Sequence, residues 1–313
     1  MVKKGQVKGS DLAGSKLRMR RASRRQKRQA VKKEAKTFAP LPSGPSLLRQ
    51  VFAILRQNWK LLGGIMGIYL ILNIVLASGL TNINAAFADI KNNFGSAHSL
   101  ADGLLSLINL TSSSGAASSG SSGAGQSVLL IIFSLVIIWA LRQVQAGEKA
   151  TVKQAFYNST SPLIPFLLVV LVIILQLLPV TLITRLVAIV LSTLISDSGT
   201  VITLTLLIML PLAAWSFYMI SSSFFALYIV TLPDMQPRQA LRSAKKLVAF
   251  RRWQVLRKFL FLMIFVAAVF TAVMIPLIIY INVLVVPVFF LLSTSLILLV
   301  HTYCYSLYRD LLS

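Results

Sequence analysis

The sequence predicts an all-α membrane protein, a polytopic bundle of six transmembrane helices with amphipathic surface helices on its cytoplasmic side. Three observations predict it. Of 313 residues, 56% are hydrophobic and only 12% charged, with a mean hydropathy of +0.79, whereas soluble domains carry about 25% charged residues. The apolar residues fall into runs long enough to cross about 30 Å of hydrocarbon. The 31 Lys and Arg, set against 8 Asp and Glu, gather between those runs, and the side that keeps them is the cytoplasmic one.

Residues 1–45 read as a basic tail ahead of a membrane domain at 46–313. Met1 to Lys36 hold 14 Lys or Arg opposed only by Asp11 and Glu34. The stretch around Arg20, Arg21, Arg24 and Arg25 has almost no apolar content to bury, which predicts a solvated, disordered arm. Anionic headgroups attract such an arm by about 1 kcal/mol per basic residue near the surface. Nucleic acid is disfavoured as a partner, because the arm lacks aromatic side chains on which bases stack. No apolar segment followed by a cleavage site marks a secretory signal, so the first span is expected to stay as an anchor.

From Ser46 to Lys60, Leu47, Leu48, Val51, Ile54 and Leu55 recur on one helical face, which predicts an interfacial helix. It leads into span one at 61–80, whose strongly polar interior residue is Asn73. Gly63 and Gly67 form a GxxxG pair that predicts close helix packing, within the chain or to a second copy. Residues 81–125 are polar, with a Ser/Gly run typical of a flexible external loop. Span two is expected at 126–141, although only the 14 residues Val128 to Leu141 are uninterrupted, so it must recruit Gly123 to Ser127 or let Arg142 snorkel. Span three follows at 163–183, with Pro179 near its outer end. Arg185 and Asp197 then bracket an apolar stretch too short to cross, predicted to be a separate re-entrant or interfacial helix.

Span four is placed at 201–230, interrupted by Pro211. After Pro237, Ala240, Leu241, Ala244, Leu247 and Val248 share one arc of a helix, while Arg238, Arg242, Lys245 and Lys246 fill the opposite arc. That pattern predicts an in-plane helix with its apolar face down and its cations, joined by Arg251 and Arg252, at headgroup level. Spans five and six are expected at 259–281 and 283–303. With both termini on one side, this threading places 29 of the 31 basic residues on that side and leaves Lys91 and Arg185 on the other. Such a sorting points to the plasma membrane as the location, with the basic face cytoplasmic.

Three segments before the odd-numbered spans share a local pattern: Arg49-Gln50-Val51-Phe52, Lys153-Gln154-Ala155-Phe156 and Arg238-Gln239-Ala240-Leu241. Two readings of it stand side by side, three repeated surface-helix-plus-hairpin units or the alternation of basic and apolar groups that any interfacial helix needs. With the continuation Gln239-Ala240-Leu241-Arg242-Ser243-Ala244, the layout from Ser46 to Ser313 resembles the membrane domain attached to some glycerophosphodiester phosphodiesterases and its stand-alone bacterial relatives. The resemblance implies a six-span domain whose membrane part carries no catalytic residues. The phosphodiesterase domain has no counterpart in these residues, so its hydrolase activity is not carried over.

Candidate chemistry is sparse. The chain has one cysteine, Cys304, and two histidines, His98 and His301, which argues against a disulfide, a cysteine metal cluster or an ordinary zinc site. No phosphate-cradling glycine pattern is present, and no cofactor is expected. His301 and Cys304 lie three residues apart, on one helix face, where packing between helices is the simplest role. The expected function is that of a non-enzymatic scaffold or regulator whose basic face binds anionic lipid or an acidic partner. The competing expectation is a facilitator for a small solute, using Asn73, Gln176 and Arg185 as a polar path.

Overall fold

The computed structural model describes residues 41–76, 121–194, 198–233, 235–249, 251–280 and 284–312. Arg20, Arg21, Arg24 and Arg25 lie outside the described residues, as does most of the predicted Ser/Gly loop. Apolar runs must satisfy their backbone polar groups internally. The described residues do so as α-helices, with no strand among them. In chain order these are α1 Gly44–Gln57, α2 Trp59–Leu76, α3 Ser121–Ala146, α4 Val152–Ser159, α5 Leu163–Leu194, α6 Ser198–Ile229, α7 Pro237–Val248, α8 Arg252–Tyr280 and α9 Val285–Leu312.

Helices α3, α5, α6, α8 and α9 are each long and apolar enough to cross a membrane, and α1 with α2 would make a sixth crossing if counted together. Those two meet at 86°. Asn58 closes α1 by donating from both its backbone N–H and its side chain to the Ile54 carbonyl, at 3.1 and 3.2 Å. α1 is thus set across the start of α2. This is the relation expected of an amphipathic helix feeding a span.

Three helices run further than the hydropathy predicts. α3 has 26 residues, about 39 Å at a rise of about 1.5 Å per residue, because the Ser/Gly stretch before Val128 and the residues from Arg142 to Ala146 join it. It stops at Gly147, whose φ of 80° suits a residue without Cβ. The Gly147 N–H donates to Val144 O and the Glu148 N–H to Gln143 O, at 3.2 and 3.1 Å, a Schellman closure. α5 is continuous through Pro179 and Arg185 for 32 residues. The predicted separate segment after Arg185 is therefore part of α5, since nothing between Val180 and Leu194 removes a backbone donor. α9 continues past the predicted end of span six to Leu312, and Tyr303 to Tyr308 are all buried, Tyr303, Cys304 and Leu307 completely.

α9 is the hub, packing against α1, α2, α3, α6, α7 and α8. Phe270, Met274 and Ile278 of α8 close on Val285, Phe289 and Phe290 of α9. On its other side, Tyr69 of α2 meets Phe133 of α3 edge-on at 4.7 Å, and Phe133 meets Phe156 of α4 at 5.3 Å. Gly64 gives α4 its approach, because a Cβ there would stand 2.8 Å from Val152. α5 and α6 form an antiparallel hairpin in which α5 packs chiefly on α6, while α6 also carries α7. Ser216 donates to the Gln176 carbonyl at 3.5 Å. Burial in this hairpin concentrates at one end, in Phe166, Val169 and Phe225 to Val230.

Candidate functional site at the basic end of the bundle

α7 begins at Pro237, whose fixed φ suits the first helical turn. Ala240, Ala244 and Val248 are completely buried. They recur every four residues, so they form one narrow stripe, and α7 packs on α6, α5 and α9. Protein, rather than the lipid expected from the pattern, covers these three residues; their small side chains let the helices approach closely. Arg238, Arg242, Lys245 and Lys246 are exposed on the other face, as their spacing predicts. Ala155 and Ala240, the third residues of two of the repeated motifs, are both fully buried near the starts of α4 and α7, and Val51 is buried within α1. At α4 the motif also has a local cause: Thr151 Oγ1 accepts the Gln154 N–H at 3.3 Å, and Gln154 Oε1 accepts the Thr151 N–H at 3.0 Å, a capping box.

Arg142 does not reach outward as snorkelling would have it. Its Nη1 donates to the Thr231 carbonyl at 2.9 Å, and Nη2 donates to Thr231 Oγ1. Thr231 Oγ1 donates in turn to the Tyr228 carbonyl at 2.9 Å. α3 is thereby clamped to the end of α6. Beside the clamp lies a cavity of about 540 Å³ between α3, the α4–α5 turn and the α6–α7 connection. Leu135, Trp139 and Arg142 form its α3 wall, Asn158, Ser159 and Ser161 line the turn, and Met235 and Gln236 close it.

A second cavity, of about 550 Å³, opens between α1 and the ends of α3 and α9, lined by Gln50, Gln57, Asn58, Gln145, Ser306, Arg309 and Asp310. Arg309 Nη1 donates to Gln145 Oε1 at 3.2 Å. Nearby, Lys258 is buried at the start of α8 and donates from Nζ to the Pro42 carbonyl, with Asp310 supplying an opposite charge in its field. The Tyr303 hydroxyl donates to the Lys258 carbonyl at 3.4 Å. The partners of Lys258, Pro42 ahead of α1 and Tyr303 and Asp310 of α9, come from distant parts of the chain and have no local signature.

At the centre of the same end, a polar thread crosses α3, α6 and α9. Ser134 Oγ lies 3.1 Å from His301 Nε2, and the Tyr228 hydroxyl lies 3.4 Å from His301 Nδ1. Because the Ser134 hydroxyl has one proton and donates it to the Leu130 carbonyl at 2.8 Å, it accepts from Nε2–H. Nδ1 is then the acceptor for Tyr228. The imidazole thus bridges α3 and α6 from α9, a clasp between helices. Ser134 and Tyr228 were missed in the sequence, since each reads there as a minor interruption of an apolar run.

The other predicted site residues are scattered. Arg252 packs its guanidinium over Tyr218 at 5.1 Å and donates to the Tyr218 hydroxyl at 2.7 Å. Arg251 is partly buried in the turn before α8. Asn73 is buried on α2, Gln176 sits within the α5–α6 hairpin, and Arg185 is exposed on α5. None of the three lines either cavity, and the structure does not bring them together. Gly67 has open space where a Cβ would stand, and a Cβ on Gly63 would meet only Trp59 of its own helix. The pair therefore packs against no other helix of the described residues. Between α2, α3 and α9 the interior is tight and apolar, with a gap of about 10 Å³ beside Tyr69 and Phe133.

The described residues are all-helical, with several apolar helices long enough to cross a membrane. No family model, no curated protein and no solved structure matches the chain.

Proposed function

We propose that the protein is a non-enzymatic membrane scaffold or regulator whose basic face lies on the cytoplasmic side and holds anionic phospholipid headgroups. The observation that carries this reading is α7. Its buried stripe is seated in the bundle and its four cations are exposed along the opposite face, so the charge is presented by a fixed element. Trp59 and Trp253 are exposed beside Lys60 and Arg252 at the starts of α2 and α8, positions that suit an aromatic belt at headgroup level. Attraction of about 1 kcal/mol per basic residue near an anionic surface makes four such residues a substantial local bias. Screening by salt weakens it.

The test uses the full chain in bilayers containing brominated lipid, with tryptophan quenching as the readout. Brominated phosphatidylglycerol should quench more strongly than brominated phosphatidylcholine at equal mole fraction, and the difference should shrink as salt rises. Replacing Arg238, Arg242, Lys245 and Lys246 by Gln, together with Arg20, Arg21, Arg24 and Arg25, should lower the preference. An undiminished preference in that variant overturns the proposal.

A further inference from the structure

The cavity beside Arg142 is graded along its length. Leu135, Trp139 and Arg142 stand at i, i+4 and i+7 of α3, one helix face, and pass in order from aliphatic through amphipathic to cationic. Trp139 and Arg142 straddle the end of the apolar run at Leu141, the depth at which a bilayer changes from acyl chain to headgroup. The volume of about 540 Å³ is that of a ligand site, which typically measures about 300–1,000 Å³. Arg142 is held in place by Thr231, which takes one donor from each terminal nitrogen. A guanidinium has five N–H donors, so the clamp leaves others for a ligand. Asn158, Ser161 and Gln236 add neutral hydrogen-bonding groups around the cation.

We propose that this cavity is a specific site for one anionic phospholipid, its phosphate on Arg142 and an acyl chain running past Trp139 toward Leu135. The planar fork of arginine matches phosphate oxygens, and the apolar wall beyond it distinguishes a lipid from a free phosphate ester. The site differs from the exposed cations of α7: those act by summed charge, whereas Arg142 acts through fixed geometry.

Native mass spectrometry of the full chain, stripped of lipid in neutral detergent and titrated with phosphatidylglycerol, tests this. One molecule should bind saturably, with phosphatidylcholine weaker. Arg142→Gln should weaken binding at least about tenfold, as losing hydrogen bonds to a charged group predicts. Arg142→Lys keeps the charge without the fork and should fall between the two. Ser161→Trp, at an exposed lining position, should block the site while leaving Arg142 and its clamp in place, which separates ligand loss from misfolding. The fourfold Gln variant of α7 should retain the single bound lipid even if the proposed electrostatic role of that helix fails. The inference is overturned if Ser161→Trp and Arg142→Gln both bind phosphatidylglycerol as the original chain does, or if inorganic phosphate alone binds as tightly as the lipid.

Discussion

Ser134 on α3 and His301 on α9 stand 3.1 Å apart, Oγ to Nε2, and Tyr228 on α6 closes on the other ring nitrogen at 3.4 Å. Three helices from distant parts of the sequence are joined by one imidazole. Within hydrocarbon, interhelical hydrogen bonds contribute about 0.6 kcal/mol on average and up to about 1.7. Ser134→Ala is therefore expected to lower unfolding stability in detergent by about 1 kcal/mol. His301→Leu should cost more, because it leaves the buried Tyr228 hydroxyl without that acceptor. In a double-mutant cycle the two changes should be non-additive. Additive losses would show that the contact does not couple the helices.

The buried stripe of α7 makes a second prediction. Ala244 is completely covered, so Ala244→Leu should overpack the junction with α6 and cost about 1–3 kcal/mol. Lys245→Leu, one residue further and exposed, should change stability by no more than about 0.5 kcal/mol. Equal effects at the two positions would contradict the seating of α7.

Glycines of α2 should behave oppositely to one another. Gly64→Val drives a branched side chain into Val152 of α4, where even a Cβ would stand 2.8 Å away, and should destabilise the protein. Gly67→Ala enters open space and should stabilise the helix by up to about 1 kcal/mol through propensity alone. Thermal unfolding of the two variants in one detergent decides this. A destabilising Gly67→Ala that also reduces the oligomer fraction on crosslinking would instead place a second copy against that face.

Orientation is open to chemical labelling because the sole cysteine, Cys304, is buried. Lys246→Cys and Tyr280→Cys place probes before and at the far end of α8, both at exposed positions. In intact cells a membrane-impermeant maleimide should label the Tyr280 position and spare Lys246 until the membrane is opened. The reverse pattern would invert the threading.

Much of the helical layout was legible because hydropathy and charge act locally. The face of α7 followed from spacing alone, and so did the amphipathic start before α2. Helix ends were less legible. Arg142 and Arg185 read as borders, yet α3 continues four residues beyond Arg142 and α5 nine beyond Arg185, since an arginine interrupts hydropathy without interrupting a helix. The candidate site was the least legible part. Lys258 is covered through Pro42, more than two hundred residues away, and His301 found its partners on two other helices. Gly63 and Gly67 meet no other helix among the described residues, so of the two partners the motif predicted, the chain itself and a second copy, the first is not seen.

The α5–α6 hairpin adds a mechanical consequence. Each of its helices has 32 residues, or about 48 Å, against about 30 Å of hydrocarbon, so a hairpin placed across the bilayer must lean. Its most deeply buried residues gather at the end that includes Val230, next to Thr231 and the Arg142 clamp, and Arg252 of α8 holds Tyr218 further along α6. Thinner or thicker bilayers would alter the lean, and the resulting torque falls on these contacts. Membrane thickness thus has a direct physical route to the geometry around Arg142.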